Sequence, residues 1–161
     1  MICITGTPGT GKSSLIALLR SRGYEVHEMI DIANDCVDGT EENEKLIDTD
    51  CLGRLRVDGI VASHLSHYLK CDLVIVLRSH LHDVEDRLSK RGYAKKKIMD
   101  NVEAEAIDLI GAEAEELHPG RVFEVLNENI DDTVAIVENI IKGKLEDKDK
   151  IDLLMEMMDW F

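Results

Sequence analysis

The chain has 161 residues, 44% of them hydrophobic and 4% aromatic, which fills one core and is too few for two ordinary domains, so a single domain over 1–161 is expected. A formal net charge of −14 sets the field of the molecule against phosphate backbones and excludes bare nucleic acid as a direct partner unless basic residues cluster. No apolar run reaches membrane-spanning length, and the opening Met1-Ile2-Cys3-Ile4-Thr5 is strand-like rather than a signal segment, so no membrane partner is expected.

Apolar runs alternate with helical patterns, the signature of an α/β chain built from parallel βα units, with strands expected at 2–5, 25–28, 59–62, 73–77 and 121–126. After the first strand, residues 13–22 carry Leu15, Leu18 and Leu19 on one helical face, and Gly23 can take the left-handed conformation that ends a helix. Residues 29–56 turn acidic and short-stepped, with few apolar positions, and read as small helices forming a lobe inserted over the sheet. Residues 94–116 read as one long helix entered through the turn Arg91-Gly92-Tyr93, which suits a mobile flap. A charged stretch at 142–150 then leads to an amphipathic C-terminal helix at 150–161, with Ile151, Leu154, Met158 and Phe161 on one stripe and Leu153, Met157 and Trp160 on the next. That segment either folds back on the domain or offers a Met-rich docking surface for a partner or a second copy. Cys3, Cys36, Cys51 and Cys71 show neither paired short spacing nor a disulfide framework, so a reducing cytoplasm is the expected compartment.

Gly6-Thr7-Pro8-Gly9-Thr10-Gly11-Lys12-Ser13 is a complete GxxxxGK[ST] between a strand and a helix, the context in which that spacing makes a phosphate-binding P-loop. Its glycines let successive backbone N–H groups turn inward, the helix start adds its positive dipole end, and Lys12 reaches the outer phosphates. Ser13 supplies a hydroxyl to Mg²⁺, so ATP with Mg²⁺ is the expected cofactor pair. An accidental glycine-rich turn does not account for the full motif in that setting.

A P-loop alone does not define a reaction, and the remaining basic groups bear on it. There is no NKxD element for guanine; Asn127-Glu128-Asn129 is a poor substitute. The acidic lobe lies where small phosphoryl-transfer kinases hold the acceptor, and Arg54 and Arg56 at its end suit bidentate binding of an acceptor phosphate. In 87–93 basic groups concentrate against the acidic trend, and Arg91 beside Gly92 is placed to swing over the transferring phosphoryl group. Lys95, Lys96 and Lys97 read as a solvated helix face.

These motifs resemble the adenylate kinase 6-type family of archaea and eukaryotes. The resemblance rests on GTPGTGKSS, the segment Gly59 to His64, VIVLR at 74–78 and RLSKRGYAKKKIMDNVEAEA at 87–106, and spans nearly the whole chain. It implies an adenylate kinase-like P-loop NTPase, a three-layer sandwich on a five-stranded parallel sheet, with a monophosphate lobe near 28–51 and a short lid near 90–100. It implies that Gly9, Gly11, Lys12, Ser13 and Ser14 hold the triphosphate, with Arg91 as the flap arginine. The implied activity is broad nucleoside monophosphate kinase turnover with a separate ATPase activity. The implied partner is a platform protein of the small ribosomal subunit during late maturation, and an acidic chain is compatible with masking a basic protein. An ATP-gated assembly factor with residual kinase turnover and a kinase for another small metabolite are the alternatives.

The family places an acid two positions before the strand-end histidine, and here that position is Ala62. The Walker-B carboxylate is therefore missing, which weakens the expectation for metal affinity and hydrolysis. Asp58 and Asp72 fall at the wrong ends of their strands to replace it; Asp31, near the carboxyl edge, is the better geometric candidate and is also placed with the acceptor-binding residues. His64 matches the family histidine and suits hydrogen bonding to an attacking water or sensing of the γ-phosphate. His64 with His67, and His80 with His82, lack a third ligand, and no metal is assigned to either pair.

Overall fold

The computed structural model describes residues 1–42, 44–145 and 148–160. The chain opens with β1 (Ile2–Thr5), the glycine loop, α1 (Lys12–Ser21) and β2 (Val26–Glu28). The inserted lobe follows as α2 (Met29–Ile32), a 3-10 turn at Asn34–Cys36, the antiparallel hairpin β3 (Val37–Glu41) and β4 (Glu44–Ile47), and α3 (Thr49–Leu52). Then come β5 (Ile60–Ala62), a 3-10 turn at Ser66–Tyr68, β6 (Leu73–Arg78), α4 (Leu81–Lys90), α5 (Lys95–Ala106), α6 (Leu109–Leu117), β7 (Val122–Leu126), α7 (Ile130–Ile141) and a 3-10 segment at Leu154–Trp160.

The five long-range strands form one parallel sheet in the order β2-β5-β1-β6-β7, with Ile2 opposite both Ile60 and Leu73. All five strands lie within one residue of their expected bounds at either end. LVIVLR in β6 is apolar almost throughout because both faces are covered, as central strands of parallel sheets require. On one face Ile4, Ile75, Leu77 and Val125 pack with Leu15 and Leu19 of α1 and Val134 and Val137 of α7. On the other, Val61, Val74, Val76 and Val122 pack with Leu52, Leu69 and Ala114. A third cluster joins Leu81, Val84 and Leu88 of α4 to Ile98 and Val102 of α5 and to Leu153. Because every strand runs the same way, the loops after β1, β5, β6 and β7 emerge at one carboxyl edge, where α/β proteins bind ligands.

Four expectations are corrected. The lobe contains a hairpin rather than helices alone: its Asp and Glu residues disguise strands whose turn is made by positive φ at Glu42. The long helix at 94–116 is two helices, because Asp108 takes φ 54 and interrupts the hydrogen-bond ladder. The four cysteines pair as Cys3–Cys71 and Cys36–Cys51, with Cα separations of 5.9 and 5.5 Å. Separations of 68 and 15 residues hide pairs that strand neighbourhood and the lobe's return bring together, and the disulfides remove the support that cysteine usage gave to a reducing compartment. The C-terminal segment is 3-10 rather than α-helical.

The break at Asp108 has a cause in the core. Arg78, the fully buried last residue of β6, donates to Glu105 Oε1 at 2.8 Å, to the Glu105 carbonyl at 2.7 Å and to Glu124 Oε1 at 2.7 Å. Asp108 Oδ1 lies 3.2 Å from the same guanidinium, and burial beside Glu124 pushes the Asp108 carboxyl up to about 8. Arg78 also donates to the Ile151 carbonyl at 2.7 Å, tying the C-terminal segment to the sheet. Beyond it Leu153 is buried, Glu156 accepts from the Leu81 N–H at 2.8 Å, and Trp160 stacks on His82. The segment therefore folds back on α4 and α5, with Met155 and Met158 facing outward; Phe161 lies outside the described residues. No described helix is long and apolar enough to cross a membrane.

Replacing Arg78 with Met leaves Glu105 buried without its cation and Glu124 with Lys150 alone, so Arg78→Met is expected to lower unfolding stability by about 3–5 kcal/mol, read as a fall in the urea midpoint.

Candidate functional site

The glycine loop curls because three of its residues take positive φ: Gly6 at 150°, Gly9 at 93° and Gly11 at 101°. All three positions also lack room, and a Cβ on Gly11 would collide with Asn127 Nδ2. A Cβ on Gly6 would sit 2.5 Å from the Leu77 carbonyl oxygen, and one on Gly9 would sit 3.0 Å from Leu88 Cγ. The loop is thus pressed against β6 and α4, with its N–H groups left for the other side.

Its carbonyls are held from several directions. Lys12 Nζ donates to the carbonyls of Gly6 at 2.6 Å and Thr7 at 3.0 Å. Arg87, from α4, donates to the Gly9 carbonyl at 2.9 Å and to Ser79 Oγ at 2.8 Å. Asn127, just past β7, donates to the Thr10 carbonyl at 2.9 Å, and its own oxygen accepts from Thr133 Oγ1 at 2.9 Å. The Thr10 N–H turns back to the Thr7 carbonyl at 3.3 Å, and with these carbonyls engaged the other N–H groups of the loop can serve an anion. Arg87 and Asn127 were not singled out for this task from the sequence. Asn127 had one legible signal, its place directly after the last strand at the carboxyl edge.

One cavity of about 770 Å³ opens over the loop and runs into the lobe. Thr7, Gly9, Lys12 and Ser13 line one end, and Met29, Ala33, Val37 and Ile47 line the other. Among the described residues its charged lining is Lys12, Lys45, Arg91 and Lys97 against Glu44 and Glu113, a positive chamber in a chain of net charge −14. Burial lowers the Lys12 ammonium to about 7, with the Arg91 charge adding to the shift and Glu105 opposing it. His64 lines the chamber and is held below the usual histidine range by burial first and by Lys12 second, so it is neutral at pH 7. Arg91 sits at the end of α4 before Gly92, whose φ is 78°, and also faces the chamber.

The structure separates the remaining candidates. Ser13 lines the chamber, whereas Ser14 is exposed on α1 outside it. Arg54 donates to the Asp50 carbonyl at 3.4 Å on the surface. Arg56 pairs with Asp72, which also binds the N-terminal ammonium at 2.6 Å, so it stands at the amino edge of the sheet, away from the loop. Asp31 is exposed on α2 and does not line the chamber. The acceptor-binding set Arg54, Arg56 and Asp31 is therefore not assembled at the cavity, because the lobe's return turns its arginines outward. Lys45 and Lys97 stand in the chamber instead. Lys97 is ion-paired with Glu44 and lies 4.7 Å over the Tyr93 ring, so it is not merely a solvated charge.

Ala62 ends β5 beside Ile4, and no acid replaces it at that position. The chamber's acids are Glu44, paired to Lys97, and Glu113 from α6. Glu113 Oε2 accepts from Tyr68 Oη at 2.8 Å and bonds His67 Nε2 at 2.9 Å, while His67 Nδ1 meets Thr5 Oγ1 at 2.8 Å. His67 is thereby committed to a buried relay linking β1 to α6. His80 bonds Glu156 at 2.5 Å and His82 bonds Asp159 at 2.9 Å, both on the C-terminal segment.

The observed groups fit a nucleoside triphosphate with Mg²⁺. The cradle leaves no space for a Cβ at Gly6 or Gly9, a lysine reaches across its mouth, and a serine hydroxyl faces the same chamber. Ala62 stands where the Walker-B acid would, so Ser13 is the P-loop hydroxyl that would hold the metal.

Comparison with known proteins agrees with this geometry. A family model described as an AAA domain matches residues 2–108. A protein of Archaeoglobus fulgidus named "Putative adenylate kinase" is 39% identical over 99% of this chain and 94% of its own length. One of Thermoplasma volcanium with the same name is 37% identical over 91% of this chain and 97% of its own. Among solved structures, deoxyadenosine kinase from M. mycoides superposes with a TM-score of 0.54 at 15% identity, covering 88% of this chain and 98% of that one. TT1252 from Thermus thermophilus gives 0.58 at 15% identity, over 89% and 96%. These two structures share the α/β P-loop fold, and the relatives share nearly the full length: the chain belongs to the family of archaeal P-loop proteins named as adenylate kinases, the adenylate kinase 6-type family whose motifs it carries.

Proposed function

We propose that the protein is a nucleoside monophosphate kinase that moves the γ-phosphoryl group of ATP to a monophosphate bound under the lobe. The observation that carries this reading is the single chamber: the P-loop lines one end, the lobe lines the other, and Lys12, Arg91 and His64 line it with them. Donor and acceptor held in one chamber react as if in one molecule, which removes much of the entropic barrier to transfer.

ATP and Mg²⁺ supply the phosphoryl group and part of the charge neutralisation when bound. The chain's own residues do the rest. Backbone N–H groups from Gly9 to Ser14 hold the β-phosphate, Ser13 offers the metal its hydroxyl, and Lys12 exchanges its loop carbonyls for phosphate oxygens. Arg91 closes over the transferring group from the C-terminal end of α4, beside Gly92, and displaces water. Lys45 and Lys97 meet the acceptor phosphate, and release of Glu44 from Lys97 accompanies that contact. Met29, Ala33, Val37 and Ile110 cover the base, and Glu113 accepts a hydrogen bond from its exocyclic amino group. Neutral His64 orients the acceptor oxygen or, when the acceptor site is empty, a water, a route to ATP hydrolysis without an acceptor. The archaeal relatives' name and the kinase neighbour's fold support the same reaction class. The cytoplasm, where nucleotide pools lie, is the compartment this reading requires.

A coupled assay of ADP formation tests the reading. ATP with AMP or CMP is expected to turn over well above ATP with UMP and above ATP alone; turnover independent of any monophosphate would instead make the protein an ATPase. Lys12→Met is expected to lower monophosphate-dependent turnover at least about a hundredfold with the fold intact by circular dichroism. The proton balance follows from the lysine. At pH 8 the free ammonium, lowered to about 7, is mostly neutral, and a bound polyphosphate favours its charged form. Binding of Mg-ADP at pH 8 is therefore expected to take up close to one proton, and far less at pH 6 where Lys12 is already charged. Calorimetry in buffers of different ionisation enthalpy measures this difference.

A further inference from the structure

The two disulfides occupy different settings. Cys3 lies within β1 at 0% exposure and Cys71 at 4%, both inside the core that joins the sheet to α3 and α6. Cys36 is likewise buried at 2%, but Cys51, on the short α3, is partly exposed. A thiol in solution therefore has a sulfur to attack in the second pair and none in the first.

The second pair also sits where loosening has a consequence. Cys36–Cys51 closes a ring whose residues 37–47 form the β3–β4 hairpin. That hairpin is not part of the five-stranded sheet, and apart from half-buried Val37 and Ile47 its described residues are exposed. With so little buried apolar surface, its placement depends on its ends and on the solvent-exposed Glu44–Lys97 ion pair, which by itself holds weakly. Those ends are joined by the disulfide and by the Asp48 N–H donating to the Cys36 carbonyl at 2.8 Å. The same ring supplies Val37, Glu44, Lys45 and Ile47 to the chamber, and Ala33 and Asn34 precede it directly. The P-loop, by contrast, is held by β6, Arg87 and Asn127, none of which touches the ring's closure.

We propose that Cys36–Cys51 is a thiol–disulfide exchange site that sets the rigidity of the acceptor wall, while Cys3–Cys71 stays closed. A dithiol reductant is the co-reactant. Its thiolate attacks Cys51 Sγ, the Cys36–Cys51 bond breaks, and Cys36 leaves as a thiolate that takes a proton. The reductant's second thiol then displaces Cys51, so that two electrons pass to the protein pair and the reductant ends as a cyclic disulfide. In the reduced form the hairpin frays from the chamber, and the acceptor half loosens without change at the donor half. The kinetic part of this inference rests on the kinase reading above; the chemical part does not.

The test uses the full-length oxidised protein and dithiothreitol under native conditions. Iodoacetamide labelling followed by peptide mass analysis is expected to find Cys36 and Cys51 alkylated and Cys3 and Cys71 unmodified, with new protease cleavage within 37–47. The KM for AMP is expected to rise about tenfold, with the Kd for Mg-ADP unchanged within twofold and full reversal on reoxidation. A Cys36→Ser/Cys51→Ser double variant should behave as the reduced enzyme and ignore the reductant. No labelling of Cys36 and Cys51, simultaneous labelling of all four cysteines, or selective labelling with unchanged KM and cleavage overturns the proposal. If the oxidised protein shows no monophosphate-dependent turnover, the kinase reading fails, and selective labelling with cleavage within 37–47 still decides the exchange site.

Discussion

A backbone turn can offer a row of N–H groups to an anion only if something else satisfies its carbonyls, and this constraint organises the carboxyl edge of the sheet. In the free protein the carbonyls of Gly6 and Thr7 are taken by Lys12, that of Thr7 also by the Thr10 N–H, that of Gly9 by Arg87 and that of Thr10 by Asn127; the last three contacts do not involve Lys12. Each side-chain partner comes from a different element, so the loop's shape is a property of the whole sheet rather than of eight residues. The same dependence couples the flap to the cradle: α4, which carries Arg91 at its end, is the helix whose Arg87, Val84 and Leu88 press on Gly9. Arg91 and the loop are therefore joined through one helix.

Charge is arranged on the same plan. The molecule as a whole repels polyphosphate, and its described cations outside the chamber are largely paired at the surface or in the core, as with Arg22 and Glu138 or Arg78 and its three acids. The lining of the chamber reverses that sign over a short distance, and a low-dielectric wall of Met29, Ile30 and Ile47 intensifies it. The lowered Lys12 ammonium reflects its burial in the free protein, with Glu105 favouring its charge and Arg91 opposing it until an anion arrives. In this light the missing carboxylate at Ala62 removes one negative group from a site already rich in cations.

The sheet was legible from the sequence because buried parallel strands are written as unbroken apolar runs between turn residues, and the cradle was legible because its spacing is dictated by phosphate geometry. What escaped depended on contacts far apart in the chain. The hairpin β3–β4 was hidden by acidic residues that solvent exposure permits and strand propensity disfavours. The break at Asp108 reflects a buried ion network that local helical pattern cannot register. Arg54 and Arg56 carried the right charge near the right lobe but face its outside, while Lys45 and Lys97, read as part of an acidic insert and of a solvated run, face the chamber. The disulfides escaped because strand adjacency and not spacing joins Cys3 to Cys71, and the lobe's return joins Cys36 to Cys51.

Resolving individual backbone amides addresses the anion cradle itself. In a ¹⁵N-labelled sample titrated with Mg-ADP, the resonances of residues 9–14 should show the largest downfield shifts in the protein and the strongest slowing of hydrogen exchange, while β3 and β4 change little without an acceptor. Saturable binding that leaves those six amides unmoved, or no binding at millimolar nucleotide by the folded protein, would contradict the account.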